Sequence, residues 1–266
     1  MTLHIIVTAK QVVDPDMPLS AMRIDDDARR VVTPASLAPV VNGFDEVALE
    51  AALRLKDSQD ARITVLSVSG QFNLDIIKKP LTMGADTLIL CQDRAFAELS
   101  DSSVTARALA AAVRKIGDFD LVLCGRQASD WDNAQVPLML AEILDVPCVP
   151  LAQKVEVEQG RVTVEQLAPD GYDVVEADLP ALVTVSNELG TPRYPNMRNL
   201  MAAKRKRPVT WTCADLGLDA GELSARVDVL ELRPRPRRQE CEFITGEDGA
   251  AAAEKLAGTL REVGLI

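Results

Sequence analysis

What most constrains this chain is a rhythm in its first half, where short β-rich runs alternate with stretches of helical periodicity. The strand-like runs are residues 3–8, 63–68, 87–91 and 121–124, and helical patterns fill 44–56, 74–83 and 104–116. Within 44–56, Val47, Ala48, Ala51, Ala52 and Leu55 follow the three-and-four spacing of one buried helix face. Repeated strand–helix units predict an α/β fold, a parallel sheet with helices on both faces. Right-handed crossovers then set the loops after each strand along one sheet edge, where such folds bind ligands.

Three segments depart from the rhythm. Met22-Arg23-Ile24 and Arg30-Val31-Val32-Thr33 flank Asp25-Asp26-Asp27, a hairpin signal in which the aspartates read as turn residues rather than metal ligands. A second hairpin runs along 154–157, turns at Gln159-Gly160 and returns along 161–165. Residues 179–186, opened by Pro180, read as a strand returning to the sheet. Beyond residue 187 the prolines 192, 195, 208, 234 and 236 interrupt periodicity, and a helical pattern returns at 250–263. An extended arm with a final amphipathic helix fits this better than a second domain. Its apolar residues, Trp211, Leu216, Leu218, Val229 and Leu232, need a surface, either a partner subunit or the chain's own sheet.

Composition narrows the function. No apolar run approaches the ~20 residues that span a bilayer. The opening Met1-Thr2-Leu3-His4-Ile5-Ile6-Val7-Thr8 reads as a first strand rather than a signal peptide, so a cytoplasmic protein is expected. A net charge of -11 argues against nucleic-acid binding, although Lys204-Arg205-Lys206-Arg207 stands out as one compact basic cluster. The five cysteines are scattered without a CxxC pair, so neither a disulfide framework nor a zinc site is expected. His4, the single histidine, lies inside the first strand pattern, which sets hydrolase triads aside.

Two loops carry the chemistry. Val41-Asn42-Gly43-Phe44-Asp45 runs directly into a helix that Asn42 or Asp45 could simply cap. Gly125-Arg126-Gln127-Ala128-Ser129-Asp130-Trp131-Asp132-Asn133-Ala134-Gln135 joins a strand to the helix 136–144. Polar residues there crowd a helix amino terminus, whose N–H groups and dipole favour a phosphate. The plainer reading is a capped helix, with Asp132 or Asn133 as cap and Pro137 in the first turn. Neither a Walker motif nor GxGxxG occurs.

Several blocks occur together and in order: Ala9-Lys10-Gln11-Val12, Val41-Asn42-Gly43-Phe44-Asp45-Glu46-Val47-Ala48-Leu49-Glu50, Met83-Gly84-Ala85-Asp86, and Gly125-Arg126-Gln127-Ala128-Ser129-Asp130. Leu179-Pro180-Ala181-Leu182-Val183-Thr184 and then Pro192-Arg193-Tyr194 complete the series. This series resembles electron-transfer flavoprotein β subunits. The resemblance implies a heterodimer with an α subunit that holds the electron-carrying FAD, fed by a flavin-dependent dehydrogenase and emptied by a downstream acceptor. It implies AMP in this chain, or a second FAD in electron-bifurcating members. The matching cofactor positions are Ala9, Asn42, Gly43, Phe44, Asp45, Ser69, Gly125, Gln127, Asp130, Asp132, Asn133, Ala134, Gln135 and Val136. The implied division is a nucleotide-binding α/β domain at 1–187, a partner-recognition loop and helix at 188–208, and a C-terminal arm and helix at 209–266 that packs on the α subunit.

Gly43 stands where the family often has proline; Asp130-Trp131-Asp132-Asn133-Ala134-Gln135-Val136-Pro137 resembles the bifurcating and nitrogen-fixation-associated branch most, though Trp131 and Pro137 stand where that branch commonly has glycine. In the recognition segment the matching residues are Tyr194, Met197, Leu200, Lys204 and Arg205, with Met197 as the anchor and the basic cluster steering an acidic partner. Periodicity alone would instead make Met197, Leu200 and Met201 one core-facing stripe. A universal-stress-type adenine-nucleotide sensor is the rival from another class. It would carry a late Gly-rich phosphate loop, which this sequence lacks.

Overall fold

The computed structural model describes residues 2–25, 30–32, 34, 37–97, 101–219, 221–233 and 241–266. Its strands are β1 (Leu3–Thr8), β2 (Gln11–Val12), β3 (Arg23–Asp25), β4 (Arg30–Val32), β5 (Val40–Val41), β6 (Ala61–Ser69), β7 (Thr87–Gln92), β8 (Leu121–Gly125), β9 (Cys148–Glu158), β10 (Arg161–Ala168), β11 (Gly171–Asp178), β12 (Ala181–Val185) and β13 (Val209–Trp211). Its helices are α1 (Gly43–Ser58), α2 (Leu74–Ile77), α3 (Lys79–Met83), α4 (Ser102–Ile116), α5 (Val136–Leu144), α6 (Met197–Arg205) and α7 (Gly249–Glu262).

Nine strands form one sheet in the order β11-β10-β9-β12-β8-β1-β6-β7-β13. From β9 through β13 every pairing is parallel, whereas β10 and β11 add antiparallel strands at one edge. The fold is therefore the expected Rossmann-like α/β type, with an antiparallel extension. Strands β8 and β12 are buried along their whole length, and β1 along all but its last residue. That is why they read as continuous apolar runs without alternation. Helix α1 presents Val47, Ala48, Ala51, Ala52 and Leu55 to the core on one face of the sheet. On the other face α4 and α5 bury Ala108, Leu109, Ala112, Val113 and Leu140.

Some local expectations shift. The single helix expected over 74–83 is two short ones, α2 and α3, parted at Lys78. Pro80 sits in the first turn of α3, where its missing N–H does no harm; inside a continuous helix its ring would clash with the carbonyl of Ile76. Strand β11 was not legible, because six of its eight residues, Gly171 to Val174 with Glu176 and Asp178, are exposed and no clean alternation survives. The 23–32 segment pairs as a hairpin through β3 and β4, while its proposed turn residues Asp26 and Asp27 lie outside the described residues, as do Pro234 and Pro236. Of the tail, β13 joins the sheet beside β7, and Trp211, Leu216 and Leu218 pack against the core on the α4 face.

The chain divides into two compact units, 1–231 and 232–266. The second contains α7, whose amino terminus is capped by the Asp248 side chain accepting from Ala251 N–H at 2.8 Å. Among the described residues, no helix is long and apolar enough to cross a membrane.

Candidate functional site

The sheet changes direction at β1, with β6 and β7 laid to one side and β8 and β12 to the other. At such a switch point the flanking loops part and leave a crevice at the strands' carboxyl ends. A cavity of about 490 Å³ lies there, within the usual size range of small-molecule sites. Its floor comes from Thr8 ending β1 and Ala9 after it, Val68 and Ser69 at the end of β6, and Gly125 ending β8. Ser102, Thr105 and Leu109 of α4 form one wall, and the loop leading into α5 forms another.

Two loops 85 residues apart in sequence are tied together by Asn42. This residue occupies the N-cap position of α1, yet its side chain does not cap that helix. Its carboxamide Nδ2 donates to the Gln127 carbonyl at 2.9 Å, and its Oδ1 accepts from Ser129 N–H at 3.2 Å. The β2–β5 pairing brings Lys10 alongside, and Asn42 N–H donates to the Lys10 carbonyl at 2.8 Å. Lys10 Nζ then reaches both carboxylate oxygens of Asp130 at 2.7 Å, a second link between the same loops.

The helix start at α5 is also left open by its neighbours. Neither Asp132 nor Asn133 caps it: Asp132 Oδ1 accepts from Gln127 Nε2 at 2.8 Å, and Asn133 Nδ2 donates to Ser102 Oγ at 3.4 Å. The N-cap is Gln135, without a side-chain cap bond, and Pro137 stands in the first turn. An uncapped helix amino terminus bordering a cavity is a site for an anion. Asp132 and Ala134 both take left-handed backbone conformations, with φ of 52° and 54°. For alanine this conformation costs about 1–2 kcal/mol. Within the same loop, Ser129 Oγ is buried without a hydrogen-bond partner. The uncapped helix end, the polar loop and the space suit the phosphate and sugar of a nucleotide.

Asp45 is the buried acid of the site. Its Oδ2 accepts from Lys10 N–H at 2.7 Å and its Oδ1 from Gly125 N–H at 3.3 Å. Burial still dominates and pushes its carboxyl up to about 7, against the hydrogen bonds and the nearby Lys10 charge. Burial likewise pushes the thiols of Cys91 and Cys124 up to about 12, so both behave as small apolar groups.

Eleven of the residues marked from sequence line the cavity: Ala9, Asn42, Asp45, Ser69, Gly125, Gln127, Asp130, Asn133, Ala134, Gln135 and Val136. Gly43, Phe44 and Asp132 do not line it. Phe44 packs beneath the Arg126 guanidinium, 5.6 Å from the ring centre, and Asp132 holds Gln127. Sequence reasoning missed the α4 wall and also Asp228 and Val229, which the arm brings to the cavity. No local pattern marks these residues. Trp131 lines the cavity with 39% of its surface exposed.

In the recognition segment, Tyr194 and Met197 are 92% and 73% exposed. Leu200 is half-buried, and Met201 is exposed rather than core-facing. Lys204 and Arg205 are exposed at the end of α6, whereas Lys206 Nζ donates to the Ala85 carbonyl at 2.7 Å. The segment is fixed to α1 by Arg193. Its Nε and Nη2 grip Glu50 Oε2 and Oε1 at 2.8 and 3.0 Å, and Nη2 also reaches Asp57 at 2.8 Å.

The fold and the cavity define a Rossmann-like α/β protein with its candidate ligand site at the switch point of the sheet. Residues 31–216 match the family described as "Electron transfer flavoprotein domain". The chain is 37% identical over 225 residues to the electron transfer flavoprotein subunit beta of Thermoanaerobacterium thermosaccharolyticum, covering 84% of each chain. It is 37% identical over 228 residues to that of Megasphaera elsdenii, covering 83% of this chain and 82% of the relative. Against the caffeyl-CoA reductase-Etf complex subunit CarD of Acetobacterium woodii it is 32% identical over 268 residues, covering 99% and 100%. The chain belongs to the electron-transfer flavoprotein family, among its β subunits, and its role is electron transfer.

Proposed function

We propose that this chain is the β subunit of a heterodimeric electron-transfer flavoprotein with AMP bound in the cavity at the switch point. Electrons pass from a flavin-dependent dehydrogenase through FAD, held mainly by the α subunit, to a downstream acceptor. That FAD supplies the redox chemistry, and the residues of this chain supply placement. The observation that carries the nucleotide assignment is the uncapped start of α5 beside the Asn42-pinned loop, an anion site at the end of a nucleotide-sized cavity.

In this reading Gln127, Asn133, Gln135 and the first turn of α5 hold the phosphate end, while Ala9, Asn42 and Ser69 border the remainder. Asp45 holds Lys10 and Gly125 in place from below. Residues 1–187 act as the nucleotide domain, and 188–208 dock the dehydrogenase through Tyr194, Met197, Leu200, Lys204 and Arg205. Residues 209–266 form the arm toward the α subunit. The exposure of Tyr194 and Met197 supports the docking role.

A second reading is a bifurcating subunit with a second FAD in place of AMP; the likeness over 99% of the chain to CarD, named as a subunit of a reductase-Etf complex, supports a place in such a complex. Extracting nucleotides from the purified heterodimer decides between them. One flavin and one AMP per dimer are expected, and two flavins would establish the second reading. A cavity that co-purifies with neither AMP nor flavin would overturn the nucleotide assignment.

A further inference from the structure

One wall of the cavity comes from a segment that the rest of the site does not explain. Residues 222–229 cross the amino-terminal end of α4 and bring Asp228 and Val229 into the cavity wall. Few apolar contacts hold this segment: Leu223 and Val229 are half-buried, while Arg226, Val227 and Asp228 are exposed. Polar contacts from α4 and its cap hold it instead. Asp101, only 4% exposed, uses Oδ1 to cap α4 through Ser103 N–H at 2.7 Å. Its Oδ2 accepts from the backbone N–H groups of Arg226 and Val227 at 2.6 and 3.3 Å. One turn along α4, Arg107 donates from Nε to the Glu222 carbonyl at 2.6 Å and from Nη2 to the Ser224 carbonyl at 3.1 Å.

A segment held by hydrogen bonds, with little apolar burial, opens locally at a far smaller free-energy cost than global unfolding. Here such an opening removes one side of the cavity and leaves the sheet and both helix starts intact. We propose that residues 222–229 are a strap over the nucleotide, with Asp101 and Arg107 as positioning residues whose latch sets the rate of nucleotide release. The proposal rests on the cavity holding a nucleotide. It ties retention of that nucleotide to the segment that leads into the carboxyl-terminal unit.

The latch can be separated from the helix cap. Asp101→Asn keeps one oxygen for Ser103 N–H, and asparagine is as good an N-cap as aspartate, but it offers no second oxygen to Arg226 and Val227. Arg107→Lys removes the two-armed contact without touching the cap. The experiment follows labelled AMP leaving the full-length chain, co-purified with its α subunit, after dilution into unlabelled AMP. Hydrogen exchange of the 222–229 peptide is measured alongside. Both variants should exchange faster in that peptide and release AMP at least about tenfold faster, the rate equivalent of one lost charged hydrogen bond.

Faster exchange with AMP release at the wild-type rate would overturn the strap and leave the nucleotide site standing. Unchanged exchange in both variants would overturn the latch. A wild-type complex that binds neither AMP nor flavin would instead overturn the nucleotide reading, and the strap with it.

Discussion

Asp45 and Gly125 pack so closely that a Cβ on residue 125 would fall 2.5 Å from Asp45 Oδ1 and 2.7 Å from the Phe44 backbone and side chain. The glycine is therefore required by the approach of the β8 end to the start of α1, before any ligand is considered. Gly125→Ala forces that junction apart and is expected to destabilise the chain by about 1–3 kcal/mol. Urea denaturation checks this, with a lowered midpoint and an unchanged slope as the expected result.

Burial of the same carboxyl makes stability depend on pH. In the folded chain the Asp45 carboxyl is raised from its ordinary 3.8 to about 7. Between those values the folded state binds a proton that the unfolded state has lost, so stability falls as pH rises and levels off above about pH 7. From about pH 5 to about pH 7 this one group removes roughly 2 kcal/mol. Asp45→Asn cannot titrate, so its stability relative to the wild type should rise by roughly 2 kcal/mol across this window. Parallel denaturation curves at the two pH values test it, and an identical pH response in both proteins would show that Asp45 stays ionised.

Arg193 should prove more important than an ordinary surface cation. Burial raises the Glu50 carboxyl, but the Arg193 side chain and backbone N–H, with Arg54, outweigh it and hold the acid below its ordinary value. Removing the arginine leaves a carboxylate that is 5% exposed without its main partner. Arg193→Ala is expected to cost about 1–3 kcal/mol, below the loss of a fully buried pair because Arg193 is partly exposed and Arg54 stays on Glu50. Arg193→Lys should recover only part, because an ammonium cannot reproduce the paired bonds to both oxygens. Thermal denaturation of the two variants gives the ranking.

The basic cluster divides into two kinds of residue. Lys206 is bonded to the Ala85 carbonyl, whereas Lys204, Arg205 and Arg207 are exposed. Neutralising those three is expected to leave the melting temperature unchanged and to slow dehydrogenase-dependent flavin reduction several-fold at low salt, with the difference shrinking as ionic strength rises. Neutralising Lys206 should lower the melting temperature instead. Stopped-flow flavin reduction at two salt concentrations, with a thermal melt, distinguishes them.

The sequence by itself determined the elements with strong local periodicity. The span 136–144 is helical at the expected bounds, 3–8 is a strand at its expected bounds, and α1 and α4 lie within two residues of expectation. It also marked the two loops that meet at the cavity, since polar residues and glycines crowd the ends of apolar strands there. Only the tertiary structure decided what those residues do. Asn42 could have capped its own helix, and Asp132 or Asn133 could have capped α5; each bonds elsewhere because folding brings a competing partner within reach. The strand β13 and the wall formed by Asp228 and Val229 were invisible for the same reason, and the antiparallel β11 because most of it is exposed. Secondary structure follows from neighbours three or four residues away. A side chain's hydrogen-bond partner is fixed only when the sheet has placed groups distant in sequence a few ångströms apart.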